Sequence, residues 1–303
     1  MHALFRLATS GLLLLGSAAA AGPTPILMTG FEAPDYDGSS DGVPVTDQQG
    51  WYIPDAPGSV SVDQFIFTYD GNALGLPANP IGEDQFFGAQ TPDQEPGNPT
   101  FPRGQLDFDW SQSTVWTVSY DFTTAYNGIL PALDNISSFS LQDSLVARYF
   151  IAVNTWVNPD TATNWDANYI VFDASGVPVD PPGLSPGAAW RNLQVGHWYN
   201  ESTTFDFDSN TILSVTITDL DTGDSTTFAP NGWYLAGGAV SRPPLPTALR
   251  LFVGGGGAPD GQPGNVGAFD NLEIDSVAGA TAPNKSDPQG VQRARGTKGA
   301  VTN

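Results

Sequence analysis

Along most of the chain apolar and polar residues alternate with a period of two, the signature of strands buried on one face. The clearest run is VWTVSYDF (115–122), with Trp116, Val118, Tyr120 and Phe122 on one face and Thr117, Ser119 and Asp121 on the other. QLDFDW (105–110) sets Leu106, Phe108 and Trp110 against Asp107 and Asp109 in the same way. ARYFIAV (147–153) and ANYIVFD (167–173) are more continuously apolar and predict interior strands. HWYNESTTFDF, the turn DSN and TILSVTIT (197–218) predict a hairpin, and DLDTGD (219–224) turns the chain again into STTFAP. No sustained helical period and no repeat of fixed length interrupt this pattern.

The breaks in the pattern predict connections. Residues 77–103, 176–188 and 254–264 are rich in Pro and Gly and read as long surface loops. At the N-terminus Arg6, the apolar run LATSGLLLLG and the small residues Ala18 to Ala21 predict a signal peptide over 1–21. That run is too short to span a bilayer, so no membrane anchor is expected after cleavage, and the product is expected outside the cell or in a periplasm. From Ala280 the apolar period stops, and Lys285, Arg293, Arg295 and Lys298 make 280–303 a basic tail expected to be disordered. A single β-sandwich domain over 22–279 remains.

Composition sharpens this picture. The 303 residues hold 32 acidic and 10 basic side chains, a formal net charge of -22. Five of the acids are Glu and the rest Asp, a bias suited to turns. Such a surface repels nucleic acid and anionic membranes but tolerates divalent cations and neutral glycans. There is no cysteine, so stability rests on core burial or metal. The 17 Phe, 9 Tyr and 8 Trp argue for a large packed core rather than a disordered acidic chain. Many short strands over some 250 residues predict an all-β fold, a two-sheet antiparallel β-sandwich with jelly-roll layout.

Three stretches carry a family resemblance. TGFEAPDYDG…QQGWYIPD, with Phe31-Glu32, follows the leader and reads as the first strand, VGHWYNESTTFDFDSNTILSVTITDLDTGD lies in the middle, and LRLFVGGGG…GNVGAFDNLEID reads as the last strand before the tail. Together they resemble the concanavalin-A-like lectin and glucanase jelly rolls, including laminin-G-like domains. In such a layout the first and last strands are neighbours, which implies that Glu32 lies near Asp270. Two carboxylates with backbone carbonyls suit calcium, and the resemblance implies a structural calcium on Glu32 and Asp270. The competing reading is that Asp270-Asn271 caps a turn.

The glucanases of this group carry Glu-x-Asp-x-x-Glu on one strand; here Glu273-Ile-Asp275 is followed by Ala278, so the motif is incomplete and no catalytic residue is assigned. A lyase needs clustered bases and cations, but Arg148, Arg191, Arg242 and Arg250 are scattered and His197 is the single histidine after the leader. One imidazole without cysteine excludes most zinc sites. DLDTGD lacks the order of an EF-hand loop and reads as a hairpin tip. Asn135, Asn200 and Asn284 each open an N-x-Ser acceptor sequence for glycosylation.

Most aromatics belong to the core, yet some bracket polar loops. Trp156 and Trp165 flank VNPDTATN, and with Asp166 and Asn168 they form the expected sugar-binding set: rings for the apolar sugar face, Asp and Asn for hydroxyls. The expectation is a secreted, non-catalytic module that binds an extracellular glycan or polysaccharide. A polysaccharide hydrolase or lyase on the same scaffold, or a structural envelope protein, are the alternatives.

Overall fold

A computed structural model describes residues 24–55, 58–93, 99–108, 114–125, 135–143, 148–157, 164–179, 184–241, 245–254 and 264–276. The expected signal peptide and basic tail lie outside these residues, as do Trp110, Arg242 and Asn284, and the side chains of 148–157. Among the described residues no helix is long and apolar enough to cross a membrane.

In chain order the strands are β1 (Thr24–Thr29), β2 (Val43–Pro44), β3 (Val60–Val62) and β4 (Phe65–Thr68). There follow β5 (Gln85–Gln90), β6 (Thr100–Asp107), β7 (Val115–Ala125) and β8 (Asn135–Asp143). Next come β9 (Arg148–Val157), β10 (Asn164–Ile170), β11 (Leu193–Gln194) and β12 (Tyr199–Asp206). The last are β13 (Thr211–Asp219), β14 (Ser225–Phe228), β15 (Ala248–Val253) and β16 (Val266–Ser276). A first sheet runs β14-β13-β12-β7-β16-β5-β4-β2, with β1 also on β16. A second runs β11-β10-β9-β8-β15-β6-β3. All pairs are antiparallel except the short β3–β6 pair. The steps β5 to β8 and β14 to β16 change sheet each time, which is the wrapping of a jelly roll. The fold is the two-sheet sandwich that the period-two pattern predicts.

The alternation of β7 works as read: Trp116, Val118, Tyr120 and Phe122 are buried between the sheets, while Thr117 and Ser119 face out. They meet Phe139, Leu141, Trp165, Tyr169, Leu249 and Leu251 of the second sheet in one core. The hairpin of β12 and β13 and its tip into β14 also stand where expected.

Two expectations are corrected. Residues 77–103 are not a surface loop throughout. They contain β5, which lies between β16 and β4 near the middle of the first sheet, and the start of β6. The Pro and Gly residues flank QFFGAQ, whose Phe86 and Phe87 are both fully buried. The segment before β5 folds over the outer face of the first sheet, where Leu74, Leu76, Phe67, Phe86, Trp198 and Ala268 form a second, smaller core. The indole of Trp198 ties it down by donating to the carbonyl of Pro77 at 2.9 Å. The first strand is TPILMT rather than the segment around Phe31-Glu32, which leaves β1 in a turn closed by the amides of Asp35 and Tyr36 on the carbonyl of Glu32.

Candidate functional site

The last strand, β16, pairs with β7 along one edge, and its other edge is shared by two partners. β5 takes Val266 to Phe269 and β1 takes Leu272 to Ser276. At the changeover the register slips between Asp270 and Glu273, and Asn271 has φ 44. This is a β-bulge, which re-aims side chains by one residue. In a regular strand Asp270 and Asn271 would point to opposite faces. Here both reach the outer face, while Phe269 and Leu272 on either side remain in the core.

The bulge joins Asp270 to its register partner Asp121 in a buried polar cluster, both carboxylates having no exposed surface. Asn79, from the segment before β5, donates to Asp121 at 2.8 Å and to Asp270 at 3.2 Å. Asn271 donates its side-chain amide to Asp121 at 2.7 Å and its backbone amide to Asp270 at 2.8 Å. Asn200 of β12 donates to Asp121 at 2.7 Å, and Tyr69 donates its hydroxyl to Asp270 at 2.8 Å. Burial pushes both carboxyls up, Asp270 to about 7, with the Asp121 charge adding to the shift and the donated hydrogen bonds opposing it. Burial, and then the Asp270 charge, also raise the Tyr69 phenol.

Gly82 closes this cluster. A Cβ at that position would sit 2.5 Å from the Asp270 carboxylate and 3.1 Å from the Tyr69 hydroxyl. Gly82→Ala should therefore lift the segment off the sheet and cost about 1–3 kcal/mol, the usual range for overpacking. Denaturant unfolding checks the loss, and hydrogen exchange at Asn79 to Gln85 checks its location.

Beside the cluster, the turn that leaves β1 and the bulge of β16 enclose a cleft of about 510 Å³. Glu32, Asp35, Gln49, Asn271 and Glu273 give it polar walls, and Leu27, Met28 and Leu272 an apolar side. Three of its residues, Phe31 (φ 59), Gln49 (φ 48) and Asn271 (φ 44), have left-handed backbones without being glycine. Such conformations cost roughly 1–3 kcal/mol each and persist only where the surroundings hold them. Phe31 is held by its buried ring against Tyr36, Trp51 and Phe87, with centroids 5.4, 6.0 and 5.1 Å away. Glu32 accepts the amides of Asp84 and Gln85, both at 3.0 Å. Burial raises the Glu32 carboxyl against those two bonds, and the charges of Glu83 and Asp84 add to the rise. Burial also raises Glu273, with Asp275 beside it on the same face.

Glu32 and Asp270 thus belong to one region, on either side of Asn271: a Cβ on Gly30 would touch both the Asn271 amide oxygen and the Glu32 side chain. Their carboxylates nevertheless have separate partners. Each Asp270 oxygen already faces an N–H or O–H donor, and one Glu32 oxygen caps two backbone amides. Among the described residues no set of three His, Asp or Glu ligands forms around them. A calcium ion needs six to eight oxygens free to face it, and this donor-filled arrangement does not fit one.

The expected sugar-binding set is not assembled as read. Trp165 is fully buried, edge-on to Phe122 and Tyr199, and its indole donates to the Gln194 carbonyl at 3.0 Å. It is a core residue with no ring face open to a sugar, because its strand position falls on the inner side of β10. Asp166 and Asn168 occupy the outer side, and Asp166 accepts the Asn192 amide at 2.9 Å. Trp156 is the register partner of Asp166, and its side chain lies outside the described residues. The cleft residues Gln49 and Asp35 gave no sequence signal. Asp121 and Asp270-Asn271 did, since Asp and Asn are depleted inside strands.

No protein-family model matches the chain, and no curated protein matches it either. Solved structures of similar fold include an endo-1,3-beta-glucanase from Streptomyces sioyaensis, at TM-score 0.47 and 12% identity over 86% of this chain and 99% of that one. The marine PL-14 alginate lyase of Aplysia kurodai follows at TM-score 0.47 and 11% identity, over 83% and 98%. Peanut lectin is similar at TM-score 0.39 and 15% identity, over 71% of this chain and 97% of the lectin.

Proposed function

We propose that the protein is a secreted β-sandwich that binds a neutral polysaccharide in the cleft between Glu32 and Glu273. The observation that carries this reading is the lining of the cleft. Three carboxylates and two amides face a volume within the usual range for small-ligand sites, beside the exposed side chain of Met28. Carboxylates and amide oxygens accept hydrogen bonds from sugar hydroxyls, and an apolar wall receives the C–H face of the ring. The same carboxylates, on a chain of net charge -22, oppose a uronate or sulfated polymer. The apolar N-terminal run supports export. A calcium on Glu32 and Asp270 forms no part of the proposal.

Glu273→Gln should weaken binding of a neutral β-glucan about five- to tenfold, the difference between a charge-assisted hydrogen bond and the neutral one that Gln can still accept. Affinity electrophoresis against neutral glucans and against alginate checks it. Wild-type binding by both Glu273→Gln and Asp35→Asn, or a preference for alginate, would refute the assignment. A second reading has its own support, because two glutamates share the cleft and Glu273 is raised by burial. Glycoside hydrolysis uses such a pair. Release of reducing sugar by the wild type and its loss in Glu273→Gln would establish that reading instead.

A further inference from the structure

The geometry points to a zinc-class metal site at the opposite end of β12 from its turn with β13, built from His197, Asp219 and Asp221. His197 lies at the entry to β12, and the two aspartates lie at the tip joining β13 to β14. One ligand atom from each falls within 4.8 Å of the others. The Nδ1 atom of His197 is 3.8 Å from Asp219 Oδ2 and 3.6 Å from Asp221 Oδ2. Both separations are too long for a hydrogen bond. Nδ1 is shut off from solvent and has no hydrogen-bond partner among the described residues, although the ring as a whole is 32% exposed.

The surrounding chain presents the three atoms to one another. Asp219 Oδ1 accepts the amides of Asp221 at 2.9 Å and Thr222 at 3.1 Å, which turns Oδ2 toward the imidazole. Asp221 Oδ2 accepts the amide of Trp198 at 3.3 Å, which draws the tip over the start of β12. The carbonyl of Trp198 takes the Leu220 amide at 2.9 Å and closes the same junction. The His197 ring lies against Tyr199, centroids 6.4 Å apart and 25° from parallel.

Around a tetrahedral ion with bonds of about 2.0–2.1 Å, ligand atoms sit about 3.4 Å apart. The two distances from Nδ1 are a few tenths of an ångström longer and the two carboxylates lie within 4.8 Å of each other, so the aspartates would close inward on the imidazole to seat the ion. One imidazole nitrogen with two carboxylates suits zinc and its transition-metal neighbours, whereas calcium and magnesium take oxygen alone. Three protein ligands leave a position for water. A single histidine is enough for this set, so the scarcity of imidazole in the sequence does not exclude it, and the hairpin-tip reading of DLDTGD holds at the same time. The site is separate from the Glu32–Glu273 cleft. Its bound ion would clip the β13–β14 tip to Trp198, whose indole holds the segment covering Asp121 and Asp270.

The test is calorimetric titration of the chelator-treated full chain with zinc chloride. One ion per chain should bind and raise the melting temperature, and calcium chloride at equal concentration should do neither. His197→Gln and Asp221→Asn should each weaken zinc at least tenfold, and Asp41→Asn, an exposed carboxylate elsewhere, should leave it unchanged. To keep the test independent of how the variants fold, the wild type supplies a second readout: zinc must shift the imidazole resonances of His197 in an NMR titration. Zinc bound equally well by His197→Gln, equal competition by calcium, or unmoved His197 resonances would each overturn the assignment. Loss of glucan binding in Glu273→Gln with zinc binding intact would show that the two sites stand independently.

Discussion

Trp165→Ala is expected to lower the unfolding free energy by about 3–5 kcal/mol, the range for truncating a large buried aromatic. The indole has no exposed surface and lies 5.2 Å from the Phe122 ring and 5.5 Å from Tyr199, so the surrounding sheets can close only part of the cavity. The substitution also removes the indole's hydrogen bond to the Gln194 carbonyl, which keeps the His197 amide as a donor at 3.3 Å. Denaturant unfolding measures the loss. Glucan affinity per folded molecule should be unchanged, since the ring belongs to the core and not to the cleft. A loss below about 1 kcal/mol together with weakened glucan binding would restore Trp165 to the sugar-binding role that its sequence context suggests.

The second large effect is a dependence of stability on pH. Glu201 is the inward-facing carboxyl of β12, wholly enclosed between the sheets. It accepts the hydroxyl of Tyr169 at 2.5 Å and that of Thr203, and Tyr169 in turn accepts the Trp190 indole at 2.9 Å. Burial drives its pKa from 4.5 to about 7 despite these donors. Below pH 4.5 both the folded and unfolded chains hold the proton. Between 4.5 and about 7 the unfolded chain releases it and the folded chain keeps it, so stability falls as pH rises and levels off above about 7. At 1.36 kcal/mol per pKa unit the loss is about 3 kcal/mol. Asp270, raised from 3.8 to about 7 by burial, slopes in the same direction. Glu201→Gln separates them: the amide keeps the shape, the two hydroxyls can rotate to accept or donate, and the slope between pH 5 and 7 should lose the Glu201 share, leaving that of Asp270 and the other carboxyls raised by burial, Asp121, Glu32 and Glu273. Melting curves from pH 4.5 to 8.5 for both proteins check it, and identical slopes would place the dependence elsewhere.

Single residues show how far the sequence reaches. Trp116, Val118, Tyr120 and Phe122 could be assigned to one buried face because alternation within one strand is a local property. The sugar-binding reading of Trp165 rests on its neighbouring loop instead of on alternation with Ala167 and Tyr169, and the composition of a flanking loop says nothing about which side of β10 the ring takes. β5 went unseen because its two buried phenylalanines sit in a short run between Pro- and Gly-rich segments. Glu201 gave no warning either, being one polar residue in a hydroxyl-rich strand whose inward face is set only by pairing with β7 and β13.

By itself the sequence settled the class of the fold, most of its strands and the acidic, cysteine-free composition, all of which follow from short-range periodicity and from residue counts. It also singled out Asp270-Asn271, as a calcium ligand or the cap of a turn. Only the tertiary structure decided what that pair does. The exchange of β5 for β1 along one edge of β16 produces the bulge that turns both side chains outward, and a segment some 190 residues earlier supplies Asn79 to cover them. His197 and Asp221 are likewise brought together by the hairpin's closure. Contacts of this kind depend on which strand edges meet, and strand pairing is governed by burial summed over the whole sandwich, a quantity that no local window of residues contains.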